Sequence, residues 1–285
     1  MAYKPSPRPK FQGPTHIPFE STTLHLWGEE AGGQVPDWCY VSSEKIHQLI
    51  FGLPPGGAFR HSENYKTIFA ADEVYYVLSG TLVLANPETG EVHLAEKGEA
   101  VFFRRDTWHH GFNYSNESLR VLEVLAPPPS SGSCGQYALE QPDLVTRKYT
   151  RDELLGDWPS AKSRSTHSDT MRIIRKADYL WGLEGEEQQV LVGILVSTEY
   201  LTVGRIDLLP ARRSSTHEHQ GDESIYVLAG SLHIYLPDHS GQRWFQLKPG
   251  DGFYLPEGTP HQYHNITDKP AEMVFAVSPN YKSRQ

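Results

Sequence analysis

DEVYYVLSGTL, residues 72–82, returns as DESIYVLAGSL at residues 222–232. Glu73 falls on Glu223 and Gly80 on Gly230, 150 residues apart. Downstream, KGEAVFF (97–103) falls on PGDGFYL (249–255), His109 on His261 and Asn113 on Asn265, now 152 apart. Upstream, Leu26-Trp-Gly28 falls on Leu180-Trp-Gly182. Order, content and spacing all repeat, so a whole domain is duplicated. Both copies read as short apolar or alternating runs bounded by turn residues, such as Leu53-Pro-Pro-Gly-Gly57 and Pro256-Glu-Gly258. That pattern predicts an all-β architecture of sandwiches or barrels.

The organisation expected is an N-terminal arm and first barrel over 1–126, a linker over 127–170 and a second barrel over 171–285. The linker opens with Pro127-Pro-Pro-Ser-Ser-Gly132, and within it Thr150-Arg-Asp-Glu153 has capping-box form and predicts one short helix. The Pro-rich residues 1–20 are expected either to lie as an arm on the other domain or a partner subunit or to be disordered.

Lys and Arg number 26 against 35 Asp and Glu, a formal net charge of −9, with no local basic patch. That excludes binding to a phosphate backbone, so no nucleic-acid partner is expected. No apolar run reaches the roughly 18 residues of a membrane helix, and MAYKPSPRPK has no apolar core for a secretory signal. A soluble, cytoplasmic protein with no membrane partner is expected. Cys39 and Cys134 are too few for a disulfide framework and read as reduced thiols.

The second copy carries His217-Glu-His219 and then Glu223. Residues two positions apart share a side of a strand, so the two imidazoles can grip one ion as a pair. His261 follows the turn Pro256-Glu-Gly258, and a barrel can bring it opposite. Three imidazoles and a carboxylate suit Fe, Mn, Ni, Co, Cu or Zn. Tyr263 shares strand parity with His261, and Ile225 and Val227 with Glu223, so all three should face the interior. Tyr263 is read as a donor behind the ligands. In the first copy Glu73 and His109 remain, but Thr67 and Phe69 stand where His217 and His219 do, and Arg104 and Asp106 replace the turn Pro and Gly. His61 and His110 are out of position, and the first barrel is read as structural. Trp108-His109-His110 and Arg104-Arg105 are the residues that can line a small-molecule pocket there.

The full pattern is His217-x-His219-x3-Glu223-x6-Gly230, then Gly250-x5-Pro256-x-Gly258-x2-His261-x3-Asn265. It resembles the two signature motifs of the cupin superfamily; the departure is Ala211, where a glycine usually stands. With the repeat, the resemblance implies a bicupin: two tandem jelly-roll-like cupin β-barrels, with one divalent transition metal held by His217, His219, Glu223 and His261 in the second. It further implies a small-molecule substrate and, with Fe(II) favoured, a dioxygenase acting on a chelating phenolic, hydroxy acid or diketone. A non-redox isomerase, lyase, decarboxylase or cyclase is the second reading and a non-catalytic ligand-binding module the third. Edge strands needing cover point to a homodimer or higher homo-oligomer.

Overall fold

The computed structural model describes residues 8–29, 33–60, 71–86, 89–104, 107–127 and 170–281. The expected linker helix at Thr150–Glu153 lies outside them, as do His61, Thr67, Phe69, Arg105, Asp106 and Cys134. Among the described residues the chain is all strand apart from two single 3-10 turns, Phe19–Ser21 and Lys176–Asp178. Among the described residues no helix is long and apolar enough to cross a membrane.

A short leader strand, β1 (Thr15–Ile17), precedes the first copy. That copy contains β2 (Thr23–Glu29), β3 (Gly33–Ser42), β4 (His47–Leu53), β5 (Ala58–Phe59), β6 (Asp72–Ser79), β7 (Thr81–Ala85), β8 (Val92–Glu96), β9 (Ala100–Phe103), β10 (His110–Asn113) and β11 (Leu119–Ala126). A second leader, β12 (Met171–Ile174), precedes β13 (Leu180–Glu184), β14 (Val190–Ser197), β15 (Thr202–Leu208), β16 (Arg212–Arg213), β17 (Gln220–Ala229), β18 (Leu232–Tyr235), β19 (Trp244–Leu247), β20 (Gly252–Leu255), β21 (Gln262–Asn265) and β22 (Ala271–Asn280). Each barrel is a seven-stranded sheet closed by a four-stranded one. The orders are β12-β9-β6-β11-β4-β3-β2 with β5-β10-β7-β8, and β1-β20-β17-β22-β15-β14-β13 with β16-β21-β18-β19. Strand for strand the two orders are the same, so the fold is two tandem cupin-type barrels.

The leader strands are exchanged. β1, from before the first copy, pairs with β20 of the second barrel (His16 opposite Phe253), while β12, from before the second copy, pairs with β9 of the first (Ile173 opposite Val101). Each leader covers an edge that would otherwise present unpaired N–H and C=O groups. Ile17 is buried in the core that joins the barrels, and His16 Nε2 lies 2.9 Å from Asp251 Oδ2.

Three cores follow from strand parity. Tyr75, Val77, Val101 and Val121 fill the first barrel, and Ile225, Val227, Phe253 and Phe275 fill the second. The alternate residues of the same strands, among them Val74, Tyr76, Leu122, Tyr226, Tyr254 and Val274, form a third core where the two large sheets meet. This is why DEVYYVL and SIYVL are apolar at nearly every position: both faces of these strands are covered. The approach is close, since a Cβ on Gly252 would stand 2.5 Å from the Tyr40 ring, and Tyr40 donates to the Gly250 carbonyl at 2.6 Å. The repeated turn at Gly80 and Gly230 needs left-handed backbone (φ 76° and 72°), and a Cβ on Gly230 would stand 2.1 Å from the Pro270 carbonyl oxygen.

Candidate metal centre

The structure brings together the residues of the second copy that sequence singled out. His217 and His261 are bridged by reciprocal backbone bonds, His217 N to His261 O at 3.0 Å and His261 N to His217 O at 2.9 Å. His219 leads into β17, which carries Glu223 inward opposite Leu255 and Val277. The ring nitrogens of His217, His219 and His261 offer one ligand atom each, all within 4.8 Å of one another. Glu223 Oε2 lies 3.1 Å from His261 Nε2 and 3.6 Å from His219 Nε2.

The orientation of the rings is fixed from behind. His217 Nδ1 donates to the Ser215 carbonyl at 2.9 Å and His261 Nδ1 to the Thr259 carbonyl at 2.8 Å, while His219 Nδ1 donates to the Tyr281 carbonyl. Three Nδ1–H groups spent on carbonyls leave three Nε2 lone pairs facing inward, the arrangement in which outer bonds set the tautomer of a metal-binding histidine. His219 Nε2 and Glu223 Oε2 are buried with no hydrogen-bond partner. Buried orphans of this kind carry a desolvation cost that a bound cation would offset. The Tyr263 hydroxyl donates to Glu223 Oε1 at 2.6 Å and lies 3.1 Å from His261 Nε2.

The protonation states suit a cation. Burial, with His261 beside it, pushes the His217 imidazole down to about 3, so it is neutral near pH 7. Burial alone would raise the Glu223 carboxyl, but the adjacent imidazoles of His219 and His261 and the hydrogen bond from Tyr263 outweigh it and hold it at about 2. Tyr263 is pushed well above the ordinary phenol range by burial and by the adjacent Glu223 charge, and so stays a donor. His217, His219, Tyr263 and Tyr281 open on a cavity of about 580 Å³, whose apolar wall includes Val190 and Ile206. Glu184 also lines it and accepts from the Tyr281 hydroxyl at 2.7 Å.

The equivalent place in the first barrel is filled. His109 Nδ1 donates to the Thr107 carbonyl at 3.1 Å, as at His217 and His261, but its Nε2 accepts from the Tyr75 hydroxyl at 3.0 Å. Tyr75 stands where the second copy has Ile225. Gly111 replaces Tyr263, and Phe59, its strand partner, occupies the vacated space: a Cβ on Gly111 would stand 2.2 Å from that ring. Phe103, 4.6 Å from His109 ring to ring, closes the other side.

Several sequence candidates sit elsewhere. Arg104 pairs with Asp72 at 3.1 Å and with Glu199 of the second copy, so it ties the barrels together and does not line a pocket. His110 faces Trp108, whose indole donates to it at 3.3 Å. Arg205, whose facing parity cannot settle, is largely buried and paired with Asp207 and Glu272, both at 2.7 Å. His233 is buried against Trp244 on the outer face of the small sheet, away from the centre. Tyr281 was not foreseen. It holds His219 through a backbone oxygen, which any residue could supply, and its ring stacks on His219 at 4.8 Å.

Residues 50–125 and 204–277, more than half of the chain, match the Cupin_2 family of cupin domains, and the chain belongs to that family. It is 29% identical over 96 residues to a protein named polyketide synthase CurC from Streptomyces cyaneus. That stretch spans 33% of this chain and 60% of the relative's length. Among solved structures, a Pseudomonas aeruginosa protein described as glyoxylate-induced is 15% identical, covering 99% of this chain and 95% of its own with a TM-score of 0.65. Lactobacillus farciminis oxalate decarboxylase in a formate complex is also 15% identical, covering 98% and 89% with a TM-score of 0.61. At such identities these likenesses speak for the bicupin fold.

Proposed function

We propose that this chain is a metal-dependent enzyme whose second barrel acts on a small, oxygen-chelating organic substrate, with His217, His219, Glu223 and His261 holding one divalent transition ion. The observation that carries the proposal is the backbone anchoring of all three Nδ1 atoms around two unpartnered buried acceptors, His219 Nε2 and Glu223 Oε2. Fe(II) is the first candidate, and Mn, Ni, Zn, Co and Cu also suit these donors. Bound there, the ion would polarise the substrate's oxygens as a Lewis acid and, as Fe(II), would bring dioxygen chemistry.

The chain's own residues supply the rest. Tyr263 keeps the Glu223 carboxylate oriented through its 2.6 Å bond. Val190 and Ile206 form a dry wall beside the ligands, which strengthens every charge interaction in the cavity. Dioxygenase chemistry on a phenolic, hydroxy acid or diketone needs little more than this. A non-redox decarboxylase, lyase, isomerase or cyclase needs a group to move a proton, and the Glu184–Tyr281 pair on the cavity wall supports that second reading. The names of the relatives make dicarboxylates and polyketide-derived phenols and diketones the first substrates to try.

The test is purification under argon, elemental analysis and an oxygen-electrode screen of chelating acids, phenols and diketones. Oxygen uptake that depends on substrate and iron supports the dioxygenase. Turnover under argon with Mn or Zn supports the non-redox enzyme. Tight ligand binding without turnover of any of these compounds would leave a binding module. Metal content that His219→Ala does not reduce would overturn the metal assignment itself.

A further inference from the structure

The interior of the first barrel differs from that of the second in a systematic way. In the second barrel one interior row runs Ile225–Phe275–Gly204 and the next Met273–Ile206–Val192–Gly182. The same rows in the first barrel read Tyr75–Glu123–Leu49 and Val121–Phe51–Asp37–His25. A third row places His47, across Leu125 from Glu73, where the second barrel has Thr202 across Val277 from Glu223. Register by register, Phe275, Val192, Gly182 and Thr202 are answered by Glu123, Asp37, His25 and His47. Apolar or small positions have become ionisable in one copy only.

These groups are short of partners. Glu73, Glu123, Asp37 and His47 are all more than nine-tenths buried. Glu73 Oε2, His47 Nδ1 and both ring nitrogens of His25 have no hydrogen bond. His25 Nδ1 lies 3.6 Å from Asp37 Oδ2. Among the described residues the three carboxyls have no ion pair to lysine or arginine. Arg8 disfavours the charged form of His47. Burial, and then the neighbouring carboxyls, push Glu73 and Glu123 well above the usual carboxylate range, and burial pushes Asp37 up to about 6. Among the described residues this cluster of carboxyls therefore lacks a compensating positive charge. The rows from Glu73 to Asp37 span roughly 13 Å at about 3.3 Å per residue. Among the described residues, only the second barrel gathers three donor atoms within 4.8 Å, so this cluster is laid out for an extended molecule and not for one ion. In the second barrel the same strands border a cavity of about 770 Å³ lined by Gly182, Val192 and Thr202.

We propose that the first barrel is a separate binding site for a small aliphatic di- or polyamine, its ammonium groups taken up by Asp37, Glu73 and Glu123 and its remaining N–H groups by His25 and His47. The site is independent of the metal reading of the second barrel.

The experiment is isothermal titration of the full-length, metal-loaded protein with putrescine, in about 0.3 M NaCl so that binding to its exposed acidic surface is screened. Saturable binding is expected, together with a rise in melting temperature. The neutral isostere 1,4-butanediol should give neither. Glu123→Gln and Asp37→Asn should each weaken binding at least tenfold. Asp37→Val, which installs the residue of the second copy and removes a buried carboxyl, guards against a polar variant that fails to fold. His217→Ala should leave putrescine binding unchanged. Absence of saturable binding overturns the proposal, as does equal binding of butanediol or binding that survives both carboxyl substitutions.

Discussion

Ala211 occupies the left-handed backbone region, φ 59°, at the position where the motif usually has glycine. The turn before the ligand loop is therefore kept while its usual residue is lost, at a cost of about 1 kcal/mol. Ala211→Gly is expected to raise stability by about that amount in urea unfolding, since the side chain is exposed and little packing is lost. At Tyr263 the expectation is opposite in sign. Tyr263→Phe removes the donor to Glu223 and should weaken metal binding by about tenfold or more, read from competition with a chromogenic chelator. The clustering of His217, His219, His261 and Glu223 was legible because imidazole and carboxylate chemistry is written in side chains and the repeat showed which positions to compare. The carbonyls of Ser215, Thr259 and Tyr281 were not, because a backbone oxygen leaves no signature in sequence.

At the level of elements, alternation foretold the long strands and parity foretold which residues face inward. It could not foretell the leader exchange. THI and MRII are three and four residues long, and nothing in so short a run says which barrel it will join. The burial of Ile17 makes the exchange measurable. Ile17→Ala should cost about 2–4 kcal/mol in urea unfolding. The loss should appear in the second barrel's signals, because β1 flanks β20 and β20 pairs directly with the strand that carries Glu223. The switch of aromatic from Tyr263 to Phe59 between copies was equally hidden: each residue looks ordinary alone, and only the cross-strand pairing shows that Gly111 and Phe59 compensate each other.

For the whole molecule, the shared core and the exchanged leaders make the barrels one cooperative body. Tryptophan fluorescence and far-UV circular dichroism are expected to give coincident urea transitions, since both barrels contain tryptophan and neither can lose its leader alone. Acid should act through buried histidines. Burial, with Arg8 and His25, pushes His47 down to about 3. Below its unfolded value near 6.5, the unfolded chain therefore binds a proton that the folded chain refuses. The stability this contributes is complete above that value and is lost as pH falls towards about 3, by about 1.4 kcal/mol per pH unit. His47→Gln should flatten the stability profile between pH 6.5 and 4 relative to the unaltered protein. The carboxyls Asp37, Glu73 and Glu123 titrate with the opposite sign in both proteins, so the difference between the profiles isolates the histidine.

The crossed leaders also bear on inheritance. A gene that arose by doubling can usually shed whichever half has fallen idle. Here the half without the histidine cluster holds the only described segment that seals the margin of its sibling, and receives the same service in return. Any selection acting on the cluster at His217 and His261 would therefore preserve both halves together, and leave the first free to change its interior as long as it keeps its grip on the second.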